Sequence, residues 1–164
     1  MDPILDRCSI RQFKDQKLTE EEIQALLRAG FSAPSARNLQ PWVFVVIEDP
    51  AKIQALRDFS PYAGPLETAP LAILICADQN HNPSLDYCQQ DCAAATENIL
   101  IQAKAMGLGS CWLGGYPNLD RIEKIRDLID LPSSLMPLWV LAIGHPGEEG
   151  SIKNKWNDKK IIRL

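Results

Sequence analysis

The sequence lacks the features that mark secreted, membrane-spanning or nucleic-acid-binding chains. No run in it approaches the roughly 20 consecutive apolar residues that a membrane-spanning helix needs. The N-terminus, Met1-Asp2-Pro3, lacks the basic and then apolar order of a signal peptide. The formal charge is −4, from 17 basic and 21 acidic residues, with no concentrated basic stripe. We therefore expect no membrane partner and no nucleic-acid partner.

Cysteine and histidine are too few, and too poorly spaced, to build a metal or disulfide framework. The five cysteines are an odd number without a Cys-x-x-Cys motif, which favours inert buried thiols in a reducing cytoplasm. Cys88 and Cys92 lie one helical turn apart, but no second pair completes a metal set. His81 and His145 stand outside any nucleophile motif. We therefore expect a cytoplasmic protein with no metal site and no catalytic triad.

The chain does contain a regular alternation of helix and strand signals, which predicts a single domain over residues 1–164. Thr19 and Glu22 form a capping box, and the helix that they begin is predicted to end at Gly30. Further helices are predicted after Asp2-Pro3, after Asp49-Pro50, over 85–106 and over 119–129, and strands over 42–47, 71–77, 110–114 and 138–144. Continuously apolar strands are typical of a parallel sheet covered by helices on both faces, although the pattern does not fix strand direction.

Two basic segments are candidates for holding an anion. In the extended segment Arg7-Cys8-Ser9-Ile10-Arg11, alternate residues point the same way, so two guanidiniums and a hydroxyl can converge on one ligand. The tail carries Lys153 and Lys155 and offers a second anion grip. Taken singly, each segment is better explained by a solvated surface charge cluster.

Two further segments could bind a flat heterocycle. The polar loop 33–41 leads directly into the buried strand at Trp42, and Ser35, Asn38 and Gln40 offer hydrogen bonds to a ring edge. The pair Gly114-Gly115 ends a strand, where backbone N–H groups can approach a ring closely. An ordinary helix-to-strand connection and a pair of turn glycines are the simpler explanations.

The order of these motifs is more specific than any one of them. Four stretches follow one another along the chain: Arg7-x-Ser9-x-Arg11-x-Phe13, then Pro34-Ser35-x-x-Asn38-x-Gln40-Pro41-Trp42, then Gly107-Leu108-Gly109-Ser110-x-Trp112-Leu113-Gly114-Gly115, then Ile143-Gly144-His145-Pro146 before the basic tail. This order resembles the FMN-dependent nitroreductase family from about residue 5 to the end of the sequence.

The resemblance implies an α+β fold, a three-layer sandwich around a mixed, largely antiparallel sheet of about four to five strands. It also implies an intertwined homodimer with flavin sites at the interface and a tail, about 145–164, that extends over the partner or the flavin phosphate. The cofactor-binding residues that it implies are Arg7, Cys8, Ser9, Arg11, Pro34, Ser35, Ala36, Asn38, Trp112, Leu113, Gly114, Lys153 and Lys155. Among them Arg7, Ser9 and the two lysines would hold the phosphate, Arg11 would tune the ring, Leu113 and Gly114 would approach N5, and the 34–38 loop would come from the partner.

The activity implied by the resemblance is transfer of hydride from NADH or NADPH to FMN and then to a small oxidised substrate, such as a nitroaromatic or a quinone, in a ping-pong cycle. The flavin carries that chemistry, so no catalytic side chain is expected. Three alternatives stay open: another reductive chemistry on the same scaffold, such as ene reduction or dehalogenation; a flavin- or nucleotide-binding protein without turnover; and a scaffold domain with no cofactor. Compared with larger family members, the chain leaves little room over 60–119 for the helices that shape substrate choice.

Overall fold

A four-stranded antiparallel sheet forms the middle layer of the computed structural model, which describes residues 2–164. The strand order is β1-β2-β4-β3, so β1 and β3 are the two edges. The strands are β1 (Trp42–Ile47), β2 (Leu71–Asp78), β3 (Gly109–Gly114) and β4 (Leu135–Gly144). The helices are α1 (Pro3–Asp6), α2 (Glu20–Phe31), α3 (Pro50–Leu56), α4 (Leu85–Ala105) and α5 (Leu119–Leu128), with short 3-10 turns at Ala36–Asn38, Arg57–Phe59, Gly64–Glu67 and Asp158–Lys160.

Both faces of the sheet are covered, which gives three layers. Alternate residues of β2 divide between two apolar clusters, because successive side chains of a strand point to opposite faces. Ile73 and Ile75 pack with residues of α2 and α4 on one face, whereas Leu74 packs with residues of α3 and α5 on the other. The α+β sandwich implied by the resemblance is confirmed, with the sheet at four strands.

The direction of the strands differs from the one that their apolar pattern favoured. All three strand pairs are antiparallel, and among the described residues the parallel pairing is an isolated bridge between Ser9 and Ser110. The parallel sheet favoured by the pattern is therefore wrong, and the largely antiparallel sheet is confirmed. Helices bury both faces of this sheet, so its strands are continuously apolar whatever their direction.

The predicted start of helix α2 is confirmed, but its predicted end is wrong. The capping box is present, since Thr19 Oγ1 accepts the Glu22 N–H at 3.2 Å and Glu22 Oε2 accepts the Thr19 N–H at 2.8 Å. Helix α2, however, continues past Gly30 to Phe31. A Cβ at Gly30 would lie 2.9 Å from Phe44 Cζ and 3.0 Å from Ile99 Cδ1. Gly30 therefore permits close packing of α2 and does not end the helix.

Helix α4 lies at the centre of the packing and matches its predicted range within one residue. It contacts α1, α2 and three strands, and Gly107, with φ of 75°, follows its end. Strand β4 begins at Leu135, three residues before the prediction, because its first residues are only half-buried and resemble a loop in sequence. In the described part of the chain, no helix has the length and apolar character needed to cross a membrane.

Candidate functional site

The N-terminal segment 7–11 lies along the first half of the edge strand β3. The Ile10 N–H donates to the Ser110 carbonyl at 3.0 Å, and Ser9 bridges to Ser110. The Arg11 N–H donates to Oε1 of Glu148 at 2.5 Å. A short extended segment therefore acts as a local fifth strand, and its alternation directs Arg7, Ser9 and Arg11 to one side.

That side opens into a large cavity between the segment, α1 and the tail. The cavity has a volume of about 1140 Å³ and contains four basic and two acidic side chains. It is lined by Ile4, Leu5, Arg7, Cys8, Ser9, Arg11, Glu148, Glu149, Ser151, Ile152, Lys153, Asn154, Lys155 and Trp156. The two basic segments that the sequence separates by about 140 residues thus meet at one opening.

Two neighbouring groups modify the cavity wall. Arg7 Nε lies 3.0 Å from Oε1 of Glu97, a residue of α4, so the guanidinium is oriented from its inner side. Behind Ser9 lies the buried thiol of Cys111. Burial raises its pKa, and this effect outweighs the lowering by Arg11 and by the Ser9 hydrogen bond. The thiol therefore stays protonated near neutral pH and is a poor nucleophile.

Beyond Ser110, the edge of β3 is open. In an antiparallel pair, the N–H and C=O groups of alternate residues point away from the partner strand. The Ser110 carbonyl points away from β4, because it accepts from Ile10, so the backbone groups of Trp112 and Gly114 face the same way. The Gly114 carbonyl accepts from Arg121 Nη1 at 2.9 Å, which agrees with this direction. The backbone of Leu113 faces β4.

The two glycines at the end of β3 have opposite surroundings. A Cβ built on Gly114 would meet no atom within 4 Å, and this residue is exposed. A Cβ on Gly115 would lie 2.6 Å from the Leu138 carbonyl oxygen. Gly115 is therefore required by packing within the chain, whereas the space at Gly114 has no explanation in the fold and leaves room for a ligand.

The side chains of the neighbouring β3 residues pack inwards. Trp112 stacks on Trp139 with ring centroids 4.7 Å apart, on the face covered by α2 and α4. Leu113 is buried on the face covered by α3 and α5. The backbone groups of Trp112 can therefore contact a ligand at the open edge, whereas the backbone of Leu113 faces β4 and its side chain is buried.

The predicted loop 31–41 has a defined conformation that the sequence did not reveal. Its centre is a 3-10 turn, and three residues that are not glycine have left-handed backbones: Arg37 (φ 54°), Asn38 (56°) and Gln40 (49°). Such conformations are costly for residues with a Cβ and concentrate at functional sites. Pro34, Ser35, Ala36 and Asn38 do not line the basic cavity of their own chain.

Two residues that contact these segments, Asp91 and Arg121, were not predicted from the sequence. Asp91 in α4 accepts the Ala36 N–H, and the signal for it in the sequence was an acidic residue directly before the small apolar run Cys92-Ala93-Ala94-Ala95. Arg121 reaches Gly114 and also lies over the ring of Tyr62, 5.5 Å from its centroid. Nothing in the local sequence distinguishes Arg121 from a solvated helix residue.

Comparison with known proteins identifies the family of this chain. The model of the nitroreductase family matches residues 4–63 and 60–145. The chain belongs to the nitroreductase family. A relative from Archaeoglobus fulgidus, provisionally named NADH dehydrogenase/NAD(P)H nitroreductase, is 38% identical over 164 residues, which cover 98% of this chain and 94% of the relative.

Solved nitroreductase-family structures match the fold over almost the whole chain. A structure from Clostridium acetobutylicum, provisionally named NADH oxidase, has a TM-score of 0.95 and 41% identity and covers 98% of both chains. An FMN-dependent nitroreductase from Clostridium difficile R20291 has a TM-score of 0.91 and 30% identity and covers 99% of this chain and 97% of its own. The family expected from the order of the motifs is confirmed.

Proposed function

We propose that this nitroreductase-family chain is an NAD(P)H-dependent flavin oxidoreductase that holds FMN and reduces a small oxidised substrate. The observation that carries the proposal is the open edge of β3, which runs from the basic cavity to the unfilled space at Gly114. The names of the relatives support the same activity, since they include an NADPH-dependent FMN reductase from Bacillus subtilis and a flavin oxidoreductase from Vibrio harveyi.

The donor set of the cavity fits the phosphate end of FMN. Arg7 offers forked N–H donors, Ser9 offers a hydroxyl, and Lys153 and Lys155 add charge from the tail. Cys8 lies on the wall between them. Four basic groups against Glu148 and Glu149 leave the opening cationic, which suits a dianionic ligand.

The edge of β3 fits the ring end. Gly114 lies four positions after Ser110, which gives about 13 Å of strand edge. The Gly114 N–H, supported by the hydrogen bond from Arg121 to the carbonyl of the same residue, would donate to the edge of the ring. Bound FMN supplies the hydride acceptor and donor. The role of Arg11 in this proposal is to stabilise negative charge on the reduced ring. The open side of the ring would accept the nicotinamide first and the oxidant second, which is a ping-pong cycle.

We further infer that the protein acts as a homodimer, with loop 34–38 of one subunit completing the site of its partner. The loop carries strained residues but does not line the basic cavity of its own chain. Large apolar side chains are exposed on α1 and on the tail, including Ile4, Leu5, Ile152, Trp156 and Ile162, and such surfaces are typical of interfaces. In this arrangement residues 1–164 form one domain, and the tail lies over the partner or the flavin phosphate. Five free cysteines are consistent with work in a reducing cytoplasm.

The deciding experiment is the visible spectrum of the purified protein before and after anaerobic addition of NADH or NADPH. We expect a bound-flavin spectrum that bleaches with at least one nicotinamide and returns when a quinone or a nitroaromatic is added. A flavin that no nicotinamide bleaches would indicate a binding protein, and a colourless protein that ignores added FMN would refute the proposal. Sedimentation at several concentrations tests the dimer.

The substitution Gly114→Val tests where the ring lies. Because a Cβ at Gly114 meets no protein atom, valine should leave the melting temperature nearly unchanged while it weakens FMN binding and slows reduction. The matched control is Gly115→Ala, whose Cβ meets the Leu138 carbonyl; it should lower the melting temperature. Tight FMN binding and normal reduction in Gly114→Val would place the ring elsewhere.

A further inference from the structure

Asp91 joins the central helix to the polar loop through one buried hydrogen bond. Its side chain is only 6% exposed, and Oδ1 accepts the Ala36 N–H at 2.9 Å, although the two residues lie 55 positions apart. The second oxygen, Oδ2, is also buried and has no hydrogen-bond partner among the described residues. A buried carboxylate with one satisfied oxygen is costly, so packing alone does not explain an acid at this position.

The loop that Asp91 contacts needs an external support. Three of its residues have left-handed backbones. Its internal bonds join only residues 35–40 to one another: the Asn38 and Leu39 N–H groups donate to the Ser35 and Ala36 carbonyls, and Gln40 bonds to Ser35 Oγ and Asn38 Oδ1. Strained conformations of this kind persist only where the surroundings over-determine them. Asp91 bonds at Ala36, the first residue of the 3-10 turn, and so fixes the point where the strained segment begins.

A second residue of α4 provides a comparison. Asn98 lies seven positions after Asp91, two helical turns further along the same face. Its Nδ2 donates to the Ala29 carbonyl at 3.1 Å and reaches Ser32 Oγ at 3.4 Å. Asn98 therefore ties the end of α2 to α4, whereas Asp91 ties the start of the turn. The two contacts are separable by mutation.

We propose that Asp91 is a positioning residue, which holds Ser35, Ala36 and Asn38 in the conformation that contacts the flavin. The inference rests on the proposed function, because it assigns a purpose to a loop that is itself proposed to bind FMN. A charge-assisted bond is stronger than a neutral one, which gives a reason for a carboxylate at the anchoring point. Asp91 touches neither flavin nor substrate in this proposal.

The first test compares Asp91→Ala with Asp91→Asn. Alanine removes the acceptor, and we expect the Kd for FMN to rise at least about tenfold, as loss of a hydrogen bond to a charged group implies. The absorption and fluorescence of the remaining bound flavin should also change, because the ring edge meets a displaced loop. Asparagine keeps an acceptor of the same shape, so it should restore the spectrum and bring the Kd to within about threefold of wild type.

The control is Asn98→Ala, which removes the neighbouring tie on α4. We expect it to lower the melting temperature about as much as Asp91→Ala while the flavin spectrum and Kd stay unchanged. If Asn98→Ala alters the flavin in the same way, the effect of Asp91 is general loosening of α4 and the proposal is wrong.

A variant on the other side of the bond covers the case in which Asp91→Ala does not fold. Ala36→Pro removes the N–H donor, and proline suits the first position of the turn because Ser35 is already extended (φ −141°, ψ 154°). It should weaken FMN binding as Asp91→Ala does, and the double variant should add little more. Wild-type affinity and spectrum in Ala36→Pro would overturn the inference. A wild-type protein that binds no FMN would instead overturn the proposed function.

Discussion

Two segments supply the basic residues of the cavity, and the fold holds them very differently. The N-terminal segment is fixed to the body by the Ile10–Ser110 and Arg11–Glu148 hydrogen bonds and by the buried side chains of Ile10 and Phe13. The tail, 151–164, is exposed at every residue. Its hydrogen bonds are local, such as that from the Trp156 N–H to Oδ1 of Asn154 at 3.0 Å.

The difference indicates how the site would assemble. Donors that are already held lose little conformational entropy when a ligand arrives, whereas exposed lysines must be ordered at that moment. The N-terminal half of the cavity should therefore contribute most of the affinity for a phosphate, and the tail should contribute a smaller, salt-sensitive part.

The largest effect should follow removal of a donor from the held half. In Arg7→Ala, we expect the Kd for FMN to rise about tenfold to a hundredfold, since a charge-assisted and oriented donor is lost. Glu97→Gln is the matched control: it keeps the shape of the partner of Arg7 but removes its charge, so FMN should bind as well as in wild type or more tightly. Fluorescence titration measures both. Equal weakening in the two variants would show that the ion pair itself, and not the free donors of Arg7, matters.

A smaller effect should follow a change at the junction of the two segments. A Cβ at Gly150 would overlap Cys8 Sγ, so we expect Gly150→Ala to shift the tail relative to the N-terminal segment. We expect FMN affinity to fall about fivefold, the scale of a displaced but intact donor set. Adding Cys8→Ala removes the clash and should restore most of the loss. If the second substitution restores nothing, the spacing at this junction does not control the cavity.

The smallest effect should come from the tail itself. Lys153→Ala and Lys155→Ala should each raise the Kd about two- to fivefold at low salt, and the loss should shrink as ionic strength rises, because exposed charges are screened. The check is a titration at two salt concentrations, with Lys159→Ala, further along the tail and outside the cavity lining, as the control. A lysine variant as damaging as Arg7→Ala would reverse the ranking of the two segments.

The sequence predicted the framework well because most of its signals are local. Caps such as Thr19 and Asp49, and the apolar run of β1, act over a few residues, and the structure places these elements where they were expected. The strand direction, in contrast, depends on which strands pair with one another, and an apolar strand buried on both faces has the same sequence pattern in either direction. Gly30 was misread for the same reason, since its role depends on Phe44 and Ile99.

The residues of the candidate site also divide into those that local sequence signals identified and those that only the folded chain shows. Order of motifs identified the segments, and the structure brings Arg7, Ser9, Arg11, Lys153 and Lys155 to one cavity. Asp91 and Arg121 were missed because their partners, Ala36 and the Gly114 carbonyl, are backbone groups. A backbone partner leaves no residue type to recognise, so such contacts emerge only when the chain is folded.

The absence of a side chain at Gly30 connects the packing of α2 in the core to the position of the binding loop that follows it. A methyl group there would meet the side-chain ends of Phe44 in β1 and Ile99 in α4, so α2 or these two side chains would have to shift. The turn that begins at Ala36 follows shortly after the end of α2. The binding loop could therefore be reshaped without a substitution in the loop itself, by a substitution that changes how closely α2 packs against β1 and α4.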